Sequence, residues 1–325
     1  MAVGAAVRSG LPGPTEIRHV EPSDFAPGEL DNDDVLLIGD SGYSAFEALE
    51  LSDTGDVEQF KPGLVQFLGC RPPIALINEL NSVGAVVAGI SPWIADRVAN
   101  RVVGFAGSLG IPVDMGDQAG AGARQWGIVG LGFTGSAVAR KLAASGAPAV
   151  VFGADVRTPP TGLLTELNVR RQTLDLLVAG SDVVAVHAYP GPTTRPLVSE
   201  RELGLMKPGA VLINTSEFSV VDEDAVLAAL ESGALGGYAT DCPGFAVAEA
   251  AADAHGKLVA AGKLVATTNP LTNQVGAAQQ VAKYITTNVR AFLDGGSIEG
   301  KIELVDFPMA GDPSFWSSRM IPRQD

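Results

Sequence analysis

The stretch QWGIVGLGFTGSAVARKLAASGAPAVVFGAD, Gln125 to Asp155, decides how the chain is read. It opens on a short apolar run, Trp126 to Val129, with the length and composition of a buried strand. Gly130, Gly132 and Gly135 follow in G-x-G-x-x-G spacing, and Ser136 to Ala144 then sets Val138 and Leu142 four apart on an alanine-rich helix. A second apolar strand, Ala149 to Phe152, leads to Asp155. Such glycines between a strand and a helix, with an acid beyond the second strand, form a cradle for a dinucleotide. Gly130 permits the tight turn, Gly132 lets the backbone approach a pyrophosphate, and Gly135 lets helix and strand pack closely. The helix N-terminus adds N–H groups and the positive end of its dipole. The competing reading is a glycine-rich turn in an ordinary α/β domain.

The whole chain narrows the choices. It has 325 residues, 46% of them hydrophobic, which is enough for a large core and suggests two domains. A formal net charge of −15 argues against nucleic acid and anionic membrane as partners. No apolar run reaches the ~20 residues that span a bilayer. The opening MAVGAAVRSGLPGP lacks a charged segment followed by an apolar core, so no secretory leader is expected and a cytoplasmic protein is. Two cysteines, Cys70 and Cys242, make neither a disulfide framework nor a zinc set, and no metal is expected.

Strands and helices alternate along the rest. Apolar runs at 35–39, 64–68, 85–87, 183–186, 210–213, 237–240 and 264–266 read as strands, and weaker candidates fall at 16–20 and 302–305. Ser91 and Pro92 open a helix whose apolar positions, Ile94, Val98, Val102, Phe105 and Leu109, recur at helical spacing. Further helices are expected at 74–80, 174–177, 200–206, 222–230 and, longest, 277–293. Alternation of this kind predicts parallel sheets.

The middle of the chain resembles the D-isomer-specific 2-hydroxyacid dehydrogenases. The likeness rests on the glycine fingerprint, the strand ending in His187 with Tyr189-Pro190 and Thr193-Thr194, the run LMKPGAVLINTS (Leu205 to Ser216), and VVDEDAVLAALESGALGGYATD (Val220 to Asp241). It covers residues 60–293 and is strongest over 125–241. It implies an α/β protein of two Rossmann-like, doubly wound parallel-sheet domains, with the cofactor domain inserted into the substrate domain. The substrate domain would take 1–92 plus 285–325 and the cofactor domain 93–284. A nicotinamide cofactor would lie in the cleft, and a homodimer would be held by helices such as 93–109. The cofactor residues implied are Gly130, Gly132, Phe133, Thr134, Gly135, Asp155, Arg157, His187, Tyr189, Thr194, Asn214, Thr215, Ser216 and Asp241. Asp155 would accept the adenosine ribose hydroxyls, which favours NAD, whereas Arg157 stands close enough to meet the 2′-phosphate of NADP.

The resemblance breaks at the chemistry. The family uses an arginine for the substrate carboxylate, a histidine as acid/base, and a glutamate that tunes the histidine. The corresponding positions here hold Glu217, with Phe218 beside it, then Pro270 or Asn269, and Ala246. A carboxylate at 217 repels a 2-oxo acid, by about 4 kcal/mol at ~4 Å and an effective dielectric near 20.

Other groups then become candidates. Glu217 either binds a cationic substrate such as an amine or imine, or acts as a base, or is a solvent-facing loop carboxylate. Arg71 either restores a carboxylate clamp or caps a surface turn. Cys242 and Cys70 are either nucleophiles or small buried residues at strand ends. Tyr43 and Tyr189 are possible proton donors, and Asn269 can hydrogen-bond but not exchange protons. The expectation is a nicotinamide-dependent oxidoreductase acting by altered chemistry on a small molecule. The alternatives are a non-redox enzyme of lyase or isomerase type that keeps the cofactor, and a non-catalytic NAD(H)-binding protein.

Overall fold

A computed structural model describes residues 33–38, 62–68, 77, 80–111, 124–146, 149–155, 161–188, 196–252, 256–267 and 276–302. These fall into two compact units. Residues up to Ile94 and from Gly276 to Ile302 form one, and residues from Ala95 to Thr267 the other.

The first unit holds a three-stranded parallel sheet, β1 (Val35–Ile38), β2 (Leu64–Phe67) and β3 (Val86–Ala88), in that order. Side chains alternate across it. Ile38, Val65, Phe67 and Val87 pack with Ile77 and Leu80. Val35 and Leu37 pack instead with Ile90, Val281, Ile285 and Val289. The last three lie on the long helix Ala277–Leu293, at the three-to-four spacing of an apolar stripe. Buried Asn288 of this helix donates to the Gln66 side chain at 2.8 Å, so the helix is pinned to the sheet by a satisfied polar contact. The boundary expected at 284/285 therefore differs from the observed division. The helix stays whole in this unit because its apolar face covers this sheet. At the other end the division falls after Ile94 rather than after residue 92.

The second unit is a seven-stranded, all-parallel sheet. Helix α1 (Ser91–Ser108) enters it, followed by β4 (Arg124–Val129), α2 (Phe133–Ala144), β5 (Ala149–Ala154), α3 (Thr161–Glu166) and β6 (Val169–Arg171). Then come α4 (Leu174–Gly180), β7 (Val183–Val186), α5 (Glu200–Leu205), β8 (Val211–Asn214), α6 (Glu223–Ser232), β9 (Gly237–Thr240), α7 (Phe245–Ala252), α8 (Lys257–Ala260) and β10 (Leu264–Ala266). Strand order is β10-β9-β8-β7-β4-β5-β6. All four residues of β7, β8 and β9 are buried, as expected of strands covered on both faces. The two Rossmann-like α/β domains expected from the sequence agree with this architecture.

Local chemistry sets several of these elements. Thr173 caps α4 by accepting from the Leu176 N–H, and Ser199 with Glu202 forms a reciprocal capping box on α5. Asp222 caps α6 through the Ala225 N–H, and Gly233 ends that helix at φ +77°. Elements α3, β6, α7 and α8 were not expected from the sequence. The strand candidate at 16–20 lies outside the described residues, and of the candidate at 302–305 only Ile302 is described.

Candidate cofactor site

The sheet order turns back between β4 and β7. The chain builds β4, β5 and β6 to one side, then returns to lay β7 to β10 on the other. In such sheets the ligand crevice opens at the carboxyl ends of the strands beside that reversal. The residues following those two strands are Gly130 and His187, both expected cofactor residues.

Each glycine of the fingerprint has a distinct physical reason. Gly130 has φ +92°, and a Cβ there would lie 2.7 Å from the Ala188 nitrogen. The turn after β4 is thus pressed against the backbone after β7. A Cβ at Gly135 would stand 1.9 Å from the Gly130 carbonyl oxygen, so α2 is seated directly on the turn. Gly132 differs, because a Cβ there meets nothing within 4 Å. Its smallness serves no packing need among the described residues, which is what a position kept open for a ligand requires. Gly132 also starts α2 with no side chain to cap its N–H groups. Phe133 is half exposed beside it, and Thr134 is partly buried.

Asp155 follows β5, and its Oδ2 accepts the Leu131 N–H at 2.6 Å, tying the glycine turn to the next strand end. The Arg171 guanidinium, at the end of β6, donates to the Asp155 carbonyl at 3.4 Å.

On the other side of the reversal, the loop after β8 is built by Asn214. Its Oδ1 accepts the Ser216 N–H at 3.0 Å and its Nδ2 donates to the Glu217 carbonyl at 3.0 Å, an Asx-type turn. Thr215 Oγ1 meets His187 Nδ1 at 2.9 Å, and the Ser216 hydroxyl donates to the Ala188 carbonyl. Asn214, Thr215 and Ser216 are thereby locked to the end of β7. Burial drives the His187 pKa down to about 3, so the imidazole is neutral at physiological pH. Its Nε2 is shut away from water with no hydrogen-bond partner among the described residues.

Glu217 comes next in extended backbone, partly buried, with half-exposed Phe218 after it. Asp241, beyond β9, forms an ion pair at 2.9 Å with Arg101 of α1, both side chains about nine-tenths buried. Cys242 is partly buried and outside any disulfide, and its N–H donates to Thr240 Oγ1 at 3.1 Å. Ala246, where the resembled family has glutamate, lies near the start of α7.

The described site therefore brings together the glycine turn, Asp155, His187 and the 214–216 loop. Arg71, Asn269, Arg157, Tyr189 and Thr194 lie outside the described residues, as do Cys70, Tyr43 and Pro270. Arg101, Arg171 and Glu223 were not singled out from the sequence. Buried Glu223 accepts the Gly244 N–H at 2.8 Å and the Val247 N–H at 3.3 Å, capping α7 from a distance. No sequence signal announces such pairings, because their partners lie 16 to 140 residues away. Among the described residues, no group of three His, Cys, Asp or Glu is placed to hold a metal, and no helix is long and apolar enough to cross a membrane.

A doubly wound sheet with a glycine turn at its reversal defines a dinucleotide-binding domain. Residues 117–268 match the D-isomer specific 2-hydroxyacid dehydrogenase, NAD binding domain, and the chain resembles that family. The glyoxylate reductase of Thermococcus litoralis is 34% identical over 115 residues, covering 35% of this chain and 34% of that protein. The glycerate dehydrogenase of Methylorubrum extorquens is 31% identical over 172 residues, covering 52% of this chain and 50% of that one. This chain thus spans half or less of the length of these curated relatives. A crystal structure of a D-isomer specific 2-hydroxyacid dehydrogenase from Xanthobacter autotrophicus Py2, in complex with NADPH and MES, has a TM-score of 0.62 at 21% identity and covers 93% of this chain and 94% of that chain. The likeness in fold thus extends well beyond the matched domain, and the expected NAD-type cofactor agrees with that domain's description.

Proposed function

We propose that the protein is a nicotinamide-dependent oxidoreductase whose substrate is a small molecule carrying an amine or imine nitrogen rather than a plain 2-hydroxy acid. The observation that carries the cofactor half is Gly132, which opens onto free space between two glycines that packing requires. The observation that carries the substrate half is Glu217, a carboxylate where the resembled family has an arginine, directly after a loop that keeps the Asn214 turn and the Thr215–His187 tie.

When bound, the nicotinamide supplies hydride transfer. The chain's own part is to hold and orient. The Gly130–Gly135 turn and the N-terminus of α2 would hold the pyrophosphate, and Asp155 would accept the adenosine ribose hydroxyls. His187, neutral by burial, serves as a fixed hydrogen-bonding group and not as a proton carrier at neutral pH. Glu217 contributes negative charge that attracts a cationic nitrogen and disfavours a free carboxylate. We take the working form to be a homodimer, as the resemblance implies.

The test is nicotinamide absorbance with NADH and NADPH over a panel of 2-oxo acids, each with and without ammonium or methylamine. Turnover that requires the amine is the expected result. Equal turnover with the oxo acid alone removes the altered chemistry, and no turnover with bound cofactor removes the oxidoreductase.

A further inference from the structure

The adenosine end of the cradle contains a cation that the glycine fingerprint does not announce. Strands β5 and β6 run parallel with Gly153 opposite Arg171, which brings the last residue of the shorter strand beside the end of the longer one. Arg171 Nη2 reaches the Asp155 carbonyl at 3.4 Å. The guanidinium therefore lies at the residue whose carboxylate is set to read the ribose. Arg171 is partly buried, so much of the entropy of placing its head group is already spent in the fold.

Asp155 itself is only partly available to the ribose. Its Oδ2 is held at 2.6 Å by the Leu131 N–H, so one carboxylate oxygen is committed to the turn. Selectivity for NAD rests on a carboxylate that takes the 2′-hydroxyl and repels a phosphate in its place. Here the N–H draws that charge inward, and a guanidinium stands beside it. A planar fork of donors is the group best suited to a phosphate dianion. On a chain with net charge −15, a local cation is also needed to offset long-range repulsion of the extra phosphate.

We infer that Arg171 is the specificity-determining residue for the adenosine 2′-position, and that it lets the site take 2′-phosphorylated nicotinamide dinucleotide as well as the unphosphorylated form. This rests on the cofactor reading proposed above. The test is calorimetric titration of the full chain with NADH and with NADPH, for the natural protein and for Arg171→Ala and Arg171→Lys. The natural protein is expected to bind both. Arg171→Ala is expected to shift the ratio of the two dissociation constants toward NADH by roughly tenfold to a hundredfold, the scale of a charge-assisted contact. Arg171→Lys should fall between, since it keeps the charge and loses the fork. NADH binding in the same sample reports whether each variant is folded, and Arg171→Lys decides the matter if Arg171→Ala does not fold. An unchanged ratio in the variants overturns the assignment, as does a natural protein that binds NADH and not NADPH. Failure of both nucleotides to bind the natural protein overturns the cofactor reading itself, and this assignment with it.

Discussion

The two halves of the crevice, the glycine turn after β4 and the loop after β8, have been built under different constraints. In the turn, Gly130 and Gly135 are fixed by backbone contact, and their side chains cannot grow without moving the sheet. In the loop, the backbone is fixed by Asn214, Thr215 and Ser216, and Glu217 contributes its carbonyl to the Asn214 turn. Position 217 follows directly on that scaffold, with its side chain partly buried. The turn thus fixes its residue types by backbone contact, whereas the loop fixes its backbone by side-chain hydrogen bonds.

The largest effect should come from filling the tightest contact in the turn. Gly135→Ala places a methyl carbon 1.9 Å from the Gly130 carbonyl oxygen, and backbone on both sides must shift to admit it. We expect a loss of roughly 3 kcal/mol or more in denaturant unfolding, beyond the usual overpacking range. A midpoint within experimental error of the natural protein would mean that the turn is not seated on α2 as described.

Next in size is the acid sensitivity built into His187. Its pKa is about 3 in the folded protein against 6.5 as the ordinary value. The unfolded chain therefore takes up the proton first as pH falls. Stability is full above 6.5 and declines through the window down to about 3. At about 1.4 kcal/mol per pH unit, the cost between pH 7 and pH 5 is about 2 kcal/mol. His187→Gln should flatten that part of the stability–pH curve. Identical slopes for the two proteins would show that the imidazole is not buried neutral.

The same contrast explains what could be read without the structure. Strands such as VVAV at β7 and VLIN at β8 are short unbroken apolar runs, and parallel pairing buries both faces, so their sequences betray them. The strand β6, VRR, carries two arginines in three residues and has no such pattern. It is a strand because β5 offers it an edge, which is a tertiary fact. The glycine turn was legible because its spacing is local. The ties on the other side of the reversal, Arg101 to Asp241 and Thr215 to His187, join residues 140 and 28 apart, and nothing in either neighbourhood names the other.

A smaller effect separates packing from binding within the turn. Gly132→Val adds bulk where nothing lies within 4 Å and where φ is −73°, so it should leave the unfolding midpoint nearly unchanged. The same side chain would occupy the approach to the pyrophosphate. NADH affinity should fall by about tenfold, the scale of one lost charge-assisted contact. A stable variant with undiminished affinity would place the pyrophosphate elsewhere.

The most delicate prediction concerns the loop after β8. Glu217→Arg returns a cation to the position where the resembled family keeps one. The like-charge penalty of about 4 kcal/mol belongs to a pair held ~4 Å apart at an effective dielectric near 20. Glu217 is partly exposed, so solvent screening reduces the gain to about 1 kcal/mol. That corresponds to about a fivefold rise in kcat/KM for reduction of glyoxylate without amine. The same change should lower turnover of the amine-dependent reaction, because it removes the carboxylate proposed to attract the cationic nitrogen. The two rates moving in opposite directions is the signature of charge selection at 217. If both fall together, the side chain supports the loop and does not choose the substrate.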